Sequence, residues 1–173
     1  ELAREDAAPL DVGRLVEGVV SLARETGRHQ DIGIELKLDR SEGNKPLMVL
    51  GHDSRLGQVF NNLIDNARSF SPEGGRVEVA VRRSGRMIEV IVDDHGPGIR
   101  AEKIDRVFER FYTDRPEGEG FGNNSGLGLS ISRQIVEAHR GTITAINRTD
   151  DAADPTRVTG ARFVVSLPAD LVA

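Results

Sequence analysis

Apolar residues recur along this chain with two different periods, and the changes of period mark out its elements. Leu15, Val16, Val19, Val20, Leu22 and Ala23 follow a helical spacing behind Asp11, a residue type suited to capping a helix start, and Gly27 ends the run. Pro9-Leu10-Asp11-Val12 just before it reads as a short edge strand. Ile32, Ile34, Leu36 and Leu38 alternate with Gly33, Glu35 and Lys37, which predicts a half-buried strand, and Leu47 to Leu50 forms the next strand after a turn at Ser41-Glu42-Gly43-Asn44. From Ser54 the helical period returns, with Leu56, Val59, Phe60, Leu63, Ile64, Ala67 and Phe70 on one face and Gln58, Asn62, Asn66 and Ser69 on the other.

Val77, Val79 and Val81 then alternate with charged residues, Ser84-Gly85 turns the chain, and Met87 to Val92 comes back as the hairpin partner. That strand ends in Asp94-His95-Gly96-Pro97-Gly98-Ile99, where glycine and proline break regular structure and leave a carboxylate beside bare backbone. Taken alone, the pattern is more often that of a tight turn whose aspartate bonds its own backbone. Ala101 to Val107 reads as a short helix, followed by the aromatic group Phe108-Glu109-Arg110-Phe111-Tyr112. Thr113 to Ser125 loses all periodicity, as a lid or a disordered loop does. Ser125-Gly126-Leu127-Gly128-Leu129 leads into a helix with apolar Leu127, Ile131, Ile135 and Val136, so two glycines sit behind a capping serine at a helix N-terminus. Uncovered N–H groups at the positive end of a helix dipole suit a phosphate. Arg140-Gly141 closes that helix, and Thr142 to Asn147 and Ala161 to Leu167 make a last strand pair around the loop Asp150 to Thr159.

Composition narrows the classes. With 173 residues, 38% of them hydrophobic, the chain can bury one core but not two generous ones. No run approaches the roughly 18 apolar residues of a membrane span, no signal peptide opens the chain, and a start at Glu1 reads as a soluble piece of a longer protein. The absence of cysteine excludes disulfides, thiolate nucleophiles and cysteine-metal sites. A net charge of −5 argues against nucleic acid as a partner. Any polyanionic ligand must therefore be gripped locally. Asn62 and Asn66, four residues apart, are the first candidates for such a task, since each costs a helix roughly a few tenths of a kcal/mol against alanine and both point the same way.

The commoner phosphate loops do not match: there is no G-x-x-x-x-G-K-[ST], and no glycine trio fits G-x-G-x-x-G. In order and spacing the motifs resemble the Bergerat ATP-binding fold of the GHKL proteins, and within it the catalytic ATP-binding domain of bacterial sensor histidine kinases. Asn62-Leu63-Ile64-Asp65-Asn66-Ala67 is similar to the N box, Asp94-His95-Gly96-Pro97-Gly98 to the G1 box, Phe108 to Tyr112 to the F box, Ser125 to Leu129 to the G2 box, and Gly160 to Pro168 to the closing strand. The residues from Phe111 to Gly118 are similar to those of the ChvG-type kinases of alphaproteobacteria. The resemblance implies an α+β, two-layer α/β sandwich: a mixed, mostly antiparallel sheet with three helices on one face. Residues 9–168 would be the ATP-binding domain with a lid at about 113–125, residues 1–8 a linker from a preceding dimerisation and phosphoacceptor domain, and residues 169–173 a tail.

Its chemistry follows from residue types. An ionised Asp94 is acceptor-only, so it receives the adenine amino group and would oppose the carbonyl oxygen of guanine. Phe70 and the turn of Gly96, Gly98 and Ile99 offer flat or bare surface to the base, and the resemblance adds Tyr112 and Arg115 as nucleotide contacts. Mg²⁺ prefers hard oxygen ligands, which the Asn62 and Asn66 carbonyls supply beside phosphate oxygens. Ser125, Gly126, Leu127 and Gly128 would hold the phosphates. Related ATPases of this fold carry a glutamate base where Asn62 stands, so hydrolysis is disfavoured and γ-phosphoryl transfer to a histidine favoured, making the expected enzyme a protein-histidine kinase.

Expected partners are the kinase's own dimerisation domain, in a homodimer, and a response regulator, with this piece monomeric in isolation and cytoplasmic, its full-length protein anchored in the bacterial inner membrane. Two rivals remain: an ATP-hydrolysing domain of the same fold, and a nucleotide-binding regulatory module without transfer activity. The second is kept open by Ser69, which stands where the family has a basic residue, Arg68 being one position off and about 100° away around the helix. Phe70 replaces the commoner tyrosine, and Arg140 the first of a usual glycine pair after His139. His52-Asp53-Ser54-Arg55 superficially resembles a phosphoacceptor box but lacks its proline, Gly57 standing there, so the acceptor histidine is expected outside this chain. His29 and His139 read as surface or helix-end residues, and His95 as a pocket residue without a catalytic part.

Overall fold

The computed structural model describes residues 7–40, 45–110 and 128–171. Among these the elements run β1 (Ala8–Asp11), α1 (Val12–Glu25), β2 (Gly33–Leu38), β3 (Met48–Gly51), α2 (Asp53–Phe70), β4 (Arg76–Ser84), β5 (Met87–Asp93), a 3₁₀ helix (Ala101–Arg106), α3 (Gly128–Ala138), β6 (Thr142–Arg148) and β7 (Gly160–Pro168). Each α and β element lies where the apolar pattern predicts it. Asp11 caps α1 through its carboxylate, which accepts from the Arg14 N–H at 3.2 Å. The short helix expected over 101–107 is a 3₁₀ turn, with the Lys103 N–H bonded to the Arg100 carbonyl at 2.8 Å.

Five strands form one sheet in the order β2-β4-β5-β7-β6, with β2 parallel to β4 and every other pair antiparallel. β1 and β3 pair antiparallel as a separate two-stranded sheet. Alternation decides which face is covered. Val77, Val79 and Val81 of β4 are buried while Glu78 and Ala80 are only partly so, and register sets Val79 beside Val92, Val92 beside Phe163, and Phe163 beside Ala145. One apolar surface thus runs across the sheet, and the stripes of the helices cover it: Val12, Val16 and Val20 of α1, Leu56, Val59, Phe60, Leu63, Ile64 and Ala67 of α2, Ile135 and Val136 of α3. α2 lies between the other two helices and touches both. Its last residue, Phe70, lies against the turn that follows β5, and its Asn62 reaches the first residue of α3.

Arg140 ends α3 at φ 62°, a left-handed conformation, and the Gly141 N–H bonds the Val136 carbonyl at 3.0 Å. That backbone requirement explains why a glycine suits the position. His139 is tied down beside it: its Nδ1 lies 2.8 Å from the Ile135 carbonyl and its Nε2 accepts from the His52 N–H at 3.1 Å. His52 itself is the residue before α2, so the segment resembling an acceptor box is a helix start.

Candidate functional site

Asp94 follows directly on β5, and its side chain is only 2% exposed. One oxygen, Oδ1, accepts two backbone N–H bonds, from Gly96 at 2.9 Å and Ala161 at 3.0 Å. Its backbone is held as well, since the Asp94 N–H donates to the Ala161 carbonyl at 3.0 Å and its carbonyl accepts from Arg148 Nη1 at 2.6 Å. Oδ2 accepts neither of these two bonds. Burial raises the Asp94 carboxyl above the ordinary carboxylate range, against the pull of the Ala161 and Gly96 N–H groups, Arg148 and His95.

The turn after Asp94 is packed too closely for side chains. A methyl group on Gly96 would lie 2.4 Å from the Phe70 carbonyl oxygen, so the turn rests on the last residue of α2. One on Gly98, whose φ is +82°, would lie 2.4 Å from Val158 and 2.8 Å from Asn147. Asn147 clamps the end of the turn with a pair of bonds to Ile99, receiving its N–H at 2.7 Å and donating to its carbonyl at 2.6 Å.

Asn62 and Asn66 are half-buried on one side of α2, one turn apart, with Phe70 a further turn on. Asn62 Nδ2 points to the first turn of α3, 3.4 Å from the Gly128 carbonyl and 3.4 Å from Ser132 Oγ, so Oδ1 is the end of the amide not engaged there. Asn62, Asn66, Phe70, Asp94, Gly96, Gly98, Ile99 and Gly128 are thereby linked through α2, the turn and α3. Tyr112, Arg115, Ser125, Gly126 and Leu127 lie outside the described residues.

Ser69 does not extend outward as a basic residue would; its Oγ donates to the Asn66 carbonyl at 2.6 Å. Arg68 is 4% exposed and donates through Nη1 to the Ala23 carbonyl at 2.7 Å, which commits it to the α1–α2 contact. His95 Nε2 lies 3.0 Å from Glu78 Oε1 on the neighbouring strand. Burial of Glu78 works the other way, but that bond and the charges of His95, Arg148 and Arg76 outweigh it and hold its carboxyl below the usual range.

Sequence reasoning placed Gly160 and Ala161 in the closing strand without a role beside Asp94, and it missed the supporting residues Asn147, Arg148 and Glu78. Asn147 carried a signal, an asparagine inside a strand pattern. The others become neighbours of Asp94 only through strand register.

Residues 51–171 match the model of the histidine kinase-, DNA gyrase B- and HSP90-like ATPase family. The chain belongs to this family. Among its relatives, the sensor protein ChvG of Agrobacterium fabrum (strain C58 / ATCC 33970) is 53% identical over 172 residues, which cover 98% of this chain and 28% of that protein. The chain thus spans between about a quarter and two fifths of the length of the curated relatives it matches, 28% of ChvG and 36% of the mycobacterial SenX3. Among solved structures, the mycobacterial sensor histidine kinase MprB superposes with a TM-score of 0.76 at 32% identity, covering 95% of this chain and 98% of that one. The nucleotide-free catalytic domain of the histidine kinase ThkA gives a TM-score of 0.75 at 27% identity, over 95% of this chain and 96% of that one. The histidine-kinase ATPase fold and the ChvG-type resemblance read from the motifs are therefore correct. No helix among the described residues is long and apolar enough to cross a membrane.

Proposed function

We propose that this chain is the catalytic domain of a sensor histidine kinase, which binds Mg·ATP and donates the γ-phosphoryl group to a histidine on the dimerisation domain of its own protein, for onward transfer to a response regulator. The observation that carries the reading is Asp94: a buried carboxylate with one oxygen fixed by two backbone N–H groups and the other engaged by neither of them. Such an acceptor selects the adenine amino group over the guanine carbonyl. Phe70, Gly96, Gly98 and Ile99 line the base side, and Tyr112 and Arg115 are proposed to complete the nucleotide contacts with Ser125, Gly126, Leu127 and Gly128 at the phosphates.

The donor set fits Mg²⁺: the Asn62 Oδ1 is free of the bonds its amide nitrogen makes to α3, and Asn66 adds a second amide one turn away. Bound there, the metal would neutralise charge on the phosphates. Asn62 orients the nucleotide without acting as a base, which favours transfer over hydrolysis. In full-length form the protein would be a homodimer anchored in the inner membrane, with this domain in the cytoplasm.

The test mixes the chain with a separately made dimerisation domain carrying the acceptor histidine, in γ-labelled ATP and Mg²⁺. Label is expected on that histidine, absent with an Asn62→Asp or Asp94→Asn chain, and absent from the chain alone. Binding of ATP with no transfer to any such domain favours a regulatory module, the reading that Ser69 keeps open by bonding its own helix. Turnover of free ATP faster than transfer favours a hydrolase.

A further inference from the structure

Beneath Asp94 lies a buried charge cluster that the nucleotide reading leaves unused. Arg148, the last residue of β6, is 8% exposed, and Asp93 is 7% exposed. Arg148 Nη1 donates to the Asp94 carbonyl at 2.6 Å, Nη2 to Asp150, and Nε lies 3.8 Å from Asp93 Oδ2. Asp93 is occupied in turn by Arg162, which pairs with both its oxygens at 2.7 and 2.9 Å. Two arginines and two aspartates thus surround the backbone on which the base-recognising carboxylate is mounted.

We propose that Arg148 is the positioning residue for base recognition, fixing the Asp94 peptide through its bond to the Asp94 carbonyl and setting the electrostatic field at the Asp94 carboxylate. The inference rests on Asp94 being the group that selects adenine. A guanidinium is suited to the task because it stays charged when buried and offers several donors in a rigid plane. A neutral donor would hold the carbonyl equally well; it would not stabilise the anion on the side chain of the same residue. Burial favours the protonated carboxyl at Asp94, and Arg148 opposes that. The charged groups that act on Asp94 among the described residues are Arg148 from β6 and His95 from its own turn; behind them stand Glu78 of β4, bonded to His95, Asp93 of β5 and Asp150 after β6, both paired with Arg148, and Arg162 of β7, paired with Asp93. Of these, Arg148 alone bonds the Asp94 backbone.

The experiment measures ATP and GTP affinity by calorimetry from about pH 4.5 to 8 on the whole chain and on Arg148→Met, Arg148→Lys, Asp150→Asn and Asp94→Asn. Wild-type ATP affinity falls as pH is lowered through the Asp94 ionisation. Arg148→Met is expected to weaken ATP about tenfold at neutral pH, from loss of a charge-assisted bond, and to move the acid fall to higher pH. Arg148→Lys restores the position of the acid fall. Asp150→Asn removes an anion that offsets Arg148 and moves the fall to lower pH.

A uniform loss of affinity at every pH in Arg148→Met, with the acid fall unmoved there and in Asp150→Asn, overturns the proposal. Should Arg148→Met fail to give a folded circular dichroism spectrum, Asp150→Asn, altered at a half-exposed side chain, decides alone. Failure of the underlying reading looks different: Asp94→Asn would then keep wild-type ATP affinity and the wild-type preference for ATP over GTP.

Discussion

Replacing Gly160 by alanine sets a methyl carbon 2.0 Å from the Asp94 carbonyl oxygen, 2.8 Å from its carbon and 3.2 Å from Oδ1. The nearest obstacles are backbone atoms inside a strand pair, with no flexible side chain to give way, and the Gly160 φ of +155° is itself one that side-chain-bearing residues rarely adopt. Relief requires the start of β7 to move away from Asp94 by about 1 Å or more, since real Cβ contacts stay beyond 3.0 Å. Three bonds cross that gap or depend on it: Asp94 N–H to the Ala161 carbonyl, Ala161 N–H to Asp94 Oδ1, and Arg148 to the Asp94 carbonyl. A buried group left unpaired costs roughly 1 to 3 kcal/mol, so with partial relaxation the variant loses on the order of 3 to 5 kcal/mol. The assay is urea unfolding at constant m-value, with ATP calorimetry on the folded protein. Gly33→Ala is the control, because nothing lies within 4 Å of a methyl there, and it should change stability by less than about 1 kcal/mol. Gly160→Ala within about 1 kcal/mol of wild type and binding ATP normally would refute the close approach of β7 to Asp94, and with it the account of how the carboxylate is held.

Three further outcomes follow from the geometry. Arg68→Ala removes the bond to Ala23 and opens space at a buried position, so it should destabilise by about 2 to 3 kcal/mol while ATP affinity of the folded protein stays unchanged, as urea unfolding and calorimetry would read. Arg140→Gly relieves a left-handed residue at the α3 end and should raise stability by about 0.5 to 1 kcal/mol, net of the extra freedom of the unfolded chain, visible as a higher Tm. Glu78 and Asp94 give opposite pH dependences without nucleotide. The lowered Glu78 contributes stability above its unfolded pKa that is lost as pH falls through the folded value, whereas the raised Asp94 contributes stability at low pH that is lost as pH rises through its folded value. Urea midpoints across the acid range should therefore fall less on acidification in Glu78→Gln than in wild type, and more in Asp94→Asn.

The sequence by itself determined the elements, because period is a local property. The 3.6-residue recurrence from Leu56 to Ala67 and the two-residue alternation of Val77, Val79 and Val81 survive in the structure as a buried helix stripe and a buried sheet face. It also determined the polar positions at Asn62, Asn66 and Asp94, since residues that oppose the local pattern stand out within one element. Only the tertiary structure decided what holds those groups. Asp94 and Ala161 are 67 positions apart and meet because β5 pairs with β7; Asn147 and Ile99 are 48 apart, Arg68 and Ala23 45 apart. Strand register and helix rotation are set by the whole core rather than by neighbouring residues, so the difference between Arg68, committed to α1, and Ser69, bonded to its own helix, appears only once the helices are packed. Arg148 is the clearest case. In the chain it is one arginine among many at the end of a strand; in the fold it is the cation under the carboxylate.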